Sequence, residues 1–82
     1  MKLFLISQNT NNNYDTFDSA VVCVPDEETA RHCNPQNGEK MRASDWRSNY
    51  WCKSPLEVNV KYLGEAAKDI TDTLILASYN AA

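Results

Sequence analysis

Lys2-Leu3-Phe4-Leu5-Ile6-Ser7 is the stretch that decides the fold. Side chains alternate along an extended chain, so Leu3 and Leu5 fall on one face and Phe4 and Ile6 on the other. Apolar residues on both faces predict a strand at the centre of a sheet. A second strand, residues 19–24, is almost wholly apolar and ends at Pro25, which cannot donate to a ladder. Residues 57–63 alternate, with Val58, Val60 and Tyr62 facing one way and Asn59, Lys61 and Leu63 the other, as in a third strand. Residues 73–79 make the fourth, with Leu74 and Leu76 set against Ile75, Ala77 and Tyr79.

The segments between these strands carry turn and helix signals. Residues 8–18 hold Asn9, Asn11, Asn12 and Asn13, whose side chains bond nearby backbone and favour turns. Tyr14 and Phe17 interrupt that polarity and predict two points where the loop is pinned. Residues 25–33 read as a two-turn helix. Pro25 presets φ, Asp26, Glu27 and Glu28 sit at the positive end of the dipole, and Arg31 and His32 lie near the negative end. Ala30 and Cys33, one turn apart, form its buried stripe. Asn34-Pro35 stops it, and Asn37-Gly38 marks a turn. Ser44 or Asp45 caps a short helical segment carrying Trp46, Tyr50 and Trp51, with Trp46 and Tyr50 on one side. One more helical turn is expected around residues 66–70. The predicted architecture is α+β, in the order β-β-α-(α)-β-β. It has a single four-stranded, mainly antiparallel sheet with the helical segments on one face.

Length and composition bound the function. Eighty-two residues make one domain, residues 1–82, and such a chain buries only about 60 to 65 % of its unfolded surface. Hydrophobic residues at 43 % and charged residues at 23 % argue against wholesale disorder. The longest apolar run, residues 3–6, is far below the roughly 18 residues of a membrane span, and the polar text after it is no signal peptide. Only Gly38 and Gly64 occur, so no glycine-rich loop cradles phosphate. The net charge is −3, which argues against a basic nucleic-acid footprint as the main design. It divides into −4 over residues 1–28, +3 over 29–55 and −2 over 56–82. A basic, tryptophan-bearing middle is thus set between acidic ends.

No constellation reads as a catalytic centre. Cys23, Cys33 and Cys52 are odd in number and widely spaced, which predicts free thiols rather than a disulfide framework. His32 and Cys33 are adjacent and point about 100° apart on a helix, so neither a zinc site nor a thiol–imidazole pair is expected. Asp15 and Asp18 lack the glycine of a calcium loop and read as turn residues. The stretch 40–53 holds Arg42, Trp46, Arg47, Tyr50, Trp51 and Lys53. Aromatics interleaved with cations suit a protein interface or single-stranded nucleic acid, while Trp46 and Trp51 also suit the core of a thin domain.

Certain strings carry a resemblance. Met1-Lys2-Leu3-Phe4-Leu5-Ile6-Ser7-Gln8 followed by Asn13-Tyr14-Asp15-Thr16-Phe17-Asp18-Ser19-Ala20-Val21-Val22 resembles a group of small uncharacterised proteins of tailed phages and prophages. Asp26-Glu27-Glu28-Thr29-Ala30-Arg31, Tyr62-Leu63-Gly64-Glu65-Ala66 and Leu76-Ala77-Ser78-Tyr79-Asn80-Ala81 fit the same pattern. The likeness covers the two ends of the chain; the middle, residues 34–55, is where members vary. Their closing aromatic-Asn-Ala-Gly has Ala82 in place of the glycine here. The resemblance implies a phage origin, expression in the cytoplasm of a bacterial host, and no particular activity. By analogy of class, small acidic phage proteins often bind and block a host protein, including CRISPR and other defence machinery. The resulting expectation is a non-enzymatic, protein-binding accessory protein of anti-CRISPR-like character, without metal, cofactor or membrane attachment. Trp46, Arg47, Tyr50 and Trp51 are the first contact candidates, and Tyr14, Asp15, Phe17 and Asp18 the second. The partner is a host or phage protein, a homodimer is one way to cover a sheet edge, and a nucleic-acid module built on residues 40–53 is the alternative.

Overall fold

The structure is a computed structural model and describes residues 1–80. The closing Ala81 and Ala82 of the phage-like pattern lie outside the described residues. The first strand, β1 (Lys2–Ser7), is central, as its two-sided apolar text predicts. It pairs with β2 (Thr16–Val24) on one side and β3 (Asn59–Glu65) on the other, and β4 (Leu74–Asn80) lies outside β2. The order is β3-β1-β2-β4 and every pairing is antiparallel. The α+β class and the single four-stranded sheet stand as expected. No described helix is long and apolar enough to cross a membrane.

The ends of the strands differ from the expected ones for local reasons. β2 starts at Thr16 rather than residue 19, because Thr16 and Phe17 reach Asn80 and Tyr79 across a bulge at Asp18. β3 starts at residue 59 rather than 57, because the Ser54 hydroxyl caps a 3-10 turn over Pro55–Glu57 and holds the chain out of the ladder. In β4 the register shifts opposite Val21 and Val22. That bulge puts Leu74 and Ala77 against the core and leaves Leu76 68 % exposed. The simple alternation expected of Leu74 with Leu76 is corrected accordingly.

The helical segments are shorter than expected. The first helix, α1 (Glu27–Arg31), has five residues, not two turns over 25–33. Asp26, rather than Pro25, opens it by accepting from the Thr29 amide at 2.8 Å, which holds its carboxyl below the usual range. It closes when His32 and Cys33 donate three residues back, to Thr29 and Ala30, and Cys33 then bridges to Lys40. Ala30 and Cys33 are buried as expected. The second helix, α2 (Ala43–Trp46), is one turn, in which Asp45 reaches back to the Arg42 amide at 2.8 Å. Tyr50 and Trp51 lie beyond it, so no helix puts Trp46 and Tyr50 on one side. Around residues 66–70 there is only a turn, with Ile70 donating to Ala67.

One face of the sheet carries the core. Phe4, Ile6, Ala20, Val22 and Val24 pack beneath Ala30, Cys33, Met41, Trp51 and Cys52. Trp51 has no exposed surface and is the largest of the fully buried side chains. Its indole N–H finds no acceptor among the described residues. The opposite face bears Leu3, Leu5 and Val21 beside the exposed Leu76. A shallow groove of about 300 Å³ runs there between Leu5, Val21, Leu76 and Ser78.

Gln8 organises the asparagine loop. Its buried amide donates to the Asn11 and Phe17 carbonyls at 2.8 and 2.9 Å and accepts from the Thr10 and Asn11 amides at 3.0 and 2.9 Å. Asn11 continues the chain of contacts, donating to the carbonyls of Asn49 and Trp51. Asn80 closes the loop from the far side by donating to the Asn13 carbonyl at 3.1 Å. The loop is therefore pinned by Gln8, Asn11, Asn80 and Phe17; Tyr14, 72 % exposed, pins nothing.

Trp51→Ala empties the centre of the core and is expected to cost about 3–5 kcal/mol. Urea denaturation checks this: the midpoint falls while the m-value holds. Trp51→Phe, which also removes the unpaired N–H, is expected to cost less.

Candidate functional site

The two sets of sequence-predicted contact residues meet at one point. The β2–β4 register sets Phe17 opposite Tyr79, with ring centroids 4.8 Å apart. The Phe17 amide donates to the Tyr50 carbonyl at 2.8 Å, and the Tyr50 ring meets Phe17 edge-on at 6.1 Å. Edge-on and tilted arrangements suit the ring quadrupoles. These three rings and Gln36 enclose a surface hollow of about 360 Å³.

Each hydroxyl in the cluster is held. The Tyr50 hydroxyl accepts from Asn34 Nδ2 at 2.9 Å and donates to Asp45 Oδ1 at 3.4 Å. Asp45 is kept below the ordinary carboxylate range, first by the Arg42 amide. The Tyr79 hydroxyl donates to Asp15 Oδ1 at 3.2 Å, and its pKa is raised by desolvation and by that bond. Asp15 has φ of 61°, a left-handed conformation that aspartate tolerates better than most residues. Its amide donates to the Asn80 carbonyl at 2.6 Å, so the turn and the end of β4 hold each other.

The remaining candidates separate. Tyr14 and Asp18 are exposed beside the cluster in sequence, Asp18 on the β2 bulge. Trp46 is half-buried against the His32 ring, 6.4 Å away and perpendicular. Arg47 is exposed. Trp51 is in the core and has no surface to offer, so its place among the contact residues is corrected. Tyr79 and Gln36 were not among the candidates. Along the chain Tyr79 figures as strand alternation and in the closing phage-like string, and no signal there shows that β4 lies next to β2.

Two cations of the basic stretch are engaged by the protein's own groups, though both stay exposed. The Lys53 ammonium donates to the Ser48 carbonyl at 2.9 Å and to Asn49 Oδ1 at 3.0 Å. Arg42 lies 3.4 Å from Asp45. With Trp51 buried as well, the stacking platform a single-stranded nucleic acid needs is reduced to half-buried Trp46 and Tyr50.

A larger cleft, about 550 Å³, opens between α1 and the end of β2, lined by Cys23, Cys33, His32, Lys40, Thr73 and others. Its chemistry is quiet. Burial pushes the Cys33 thiol up to about 11, and the thiol donates to the Thr29 carbonyl. His32 Nδ1 faces the Glu28 carbonyl at 3.0 Å and the Glu28 carboxylate at 3.4 Å. All of the cysteines, Cys23, Cys33 and Cys52, are free and buried. Among the described residues, no group of three or more His, Cys, Asp or Glu side chains converges as metal ligands would.

Compared with family models, with curated proteins and with solved structures, the chain finds no match.

Burial raises both the Cys33 and the Cys52 thiol to about 11, so little thiolate forms in the native state at pH 8. Alkylation of Cys33 and Cys52 by iodoacetamide at pH 8 is expected to be slow in the folded protein and fast after denaturation. Raising the pH toward 11 supplies thiolate and speeds the reaction. A native Cys33 or Cys52 thiol that reacts at the denatured rate at pH 8 would contradict this.

Proposed function

We propose that this protein acts by binding another protein, and that the Phe17–Tyr50–Tyr79 cluster with Asp15 is its contact surface. The observation that carries the proposal is an aromatic patch fixed in place before any partner arrives. Both tyrosine hydroxyls are hydrogen-bonded, the rings pack edge-on and tilted, and Tyr79 remains 49 % exposed. Preset aromatics lose little side-chain entropy on contact and are favoured as binding hot spots. Exposed Tyr14, Asp18 and Arg47 extend the candidate surface with one more ring and one charge of each sign.

The wider role rests on the resemblance described above. On that basis the protein is a non-enzymatic phage accessory protein working in the cytoplasm of a bacterial host. Its target is a host or phage protein, with an inhibitor of a defence system of the anti-CRISPR kind as the leading case. Burial leaves the Cys33 and Cys52 thiols poorly suited as nucleophiles. The alternative, a nucleic-acid module on residues 40–53, is weakened by the engagement of Lys53 and Arg42 and by the burial of Trp51.

Capture from a bacterial lysate tests the proposal. The Tyr79→Ala, Arg47→Ala double variant is expected to retain its fold by circular dichroism and to lose its partner by about 30-fold or more, the loss of one hot spot. A folded double variant that recovers every partner at the wild-type level would refute the surface assignment. Retention on single-stranded DNA at low salt, lost as salt rises, would favour the alternative.

A further inference from the structure

The two edges of the sheet are built differently. β3 carries Lys61 and Glu65 and is kinked where its register shifts opposite Leu3 and Phe4, beside Gly64 at φ 145°. Charges and a bulge are the usual protection of an edge against pairing with another chain. β4 has a bulge of its own at Ile75, but it reads Leu74-Ile75-Leu76-Ala77-Ser78-Tyr79-Asn80, with no charge, no proline and no glycine, and from Leu76 to Asn80 no residue of it is skipped in the ladder. Its Asn80 carbonyl accepts from Asp15, so that residue's polar backbone points inward toward β2. By strand alternation the N–H and C=O groups of Ala77 and Tyr79 point outward. Among the described residues, no hydrogen bond outside the sheet ladders reaches them.

We propose that β4 is the pairing edge of a two-fold dimer, in which two copies of the strand join antiparallel about Ser78 into one continuous sheet. The occupant is a second copy because the strand complements itself. About that axis Ala77 faces the partner's Tyr79, and each exchanges its N–H and C=O with the other. The large ring lies beside the smallest side chain of the strand, Ser78 meets the partner's Ser78, and no like charges oppose. A two-fold interface uses the same patch twice and closes on itself. The protected β3 edge prevents growth beyond two copies. The dimer also sets two Phe17–Tyr50–Tyr79 clusters side by side. It shares Tyr79 with the proposed contact surface, but it is read by mass and amide exchange, so the dimer stands or falls whether or not a lysate protein is captured.

Sedimentation equilibrium on the full chain, from low micromolar to sub-millimolar, is expected to show twice the 9.3 kDa chain mass at the upper end. Ser78 is exposed, so a charge there leaves the monomer fold intact. Ser78→Lys alone and Ser78→Asp alone each set like charges across the axis and are expected to weaken the dimer about 100-fold or more. An equimolar mixture of the two variants restores it. Amide exchange on the wild-type chain identifies the edge without a substitution: the Ala77 and Tyr79 amides slow as concentration rises. A 9.3 kDa monomer at every concentration overturns the proposal. So does a dimer whose Ala77 and Tyr79 amides exchange as fast as in the monomer, which would place the contact on the open sheet face instead.

Discussion

A four-stranded sheet has two faces, and this chain supplies cover for one of them. Everything else in the structure follows from that shortage. The helices amount to five and four residues, too little surface to roof a sheet. The roof is therefore mostly irregular chain, and Trp51 gives it bulk, a single large ring against Phe4, Ile6 and Val22. Irregular chain leaves its peptide groups without ladder partners, and buried ones cannot go unpaired cheaply. Gln8 bonds the asparagine loop, Asn11 the carbonyls of residues 49 and 51, and Arg31 the carbonyls of Pro55 and Val58.

The strands were legible because they are local patterns. The central place of β1 was legible too, since apolar residues on both sides of a strand fit no edge. What the pattern could not say is whether both sides are covered. Leu3 and Leu5 look in sequence like core residues, yet they lie on the side without a roof. Strand ends slipped wherever a bulge or cap intervened, at Asp18, at Ile75 and at Ser54, because those depend on the neighbouring strand or a single hydroxyl. The same limit applies to the contact surface. Phe17, Tyr50 and Asp15 stood out by residue type. Tyr79 joins them only through a register between β2 and β4, a relation that no window along the chain contains. Trp51 suits an interface by its basic neighbours and a core by its size; the structure buries it completely, the largest side chain so placed.

The segregated charge also changes meaning in three dimensions. The +3 of the middle segment suggested a cationic surface, but Lys53 faces backbone carbonyls and Arg42 faces Asp45. These two cations fasten the roof while remaining exposed. Rings, rather than cations, are what the held part of the surface presents, and their hydroxyls are tied to residues far apart in sequence, Asn34 and Asp45 for one and Asp15 for the other.

The way the roof is fastened has an evolutionary corollary. Asn11, Arg31 and Lys53 hold residues 47–49, 51, 55 and 58 by their carbonyl oxygens. Every amino acid has that oxygen, so, apart from the bond from Lys53 to the Asn49 side chain, the grip does not read the side chains it holds. Arg47 is free to drift under selection for a new contact while the attachment persists, whereas the Ser48 hydroxyl and the Asn49 amide are themselves bonded, to Asp45 and Lys53. The residues that do the holding are not free in this way. Variation is thereby channelled into the segment between the strands, and the sheet beneath it is insulated from the cost.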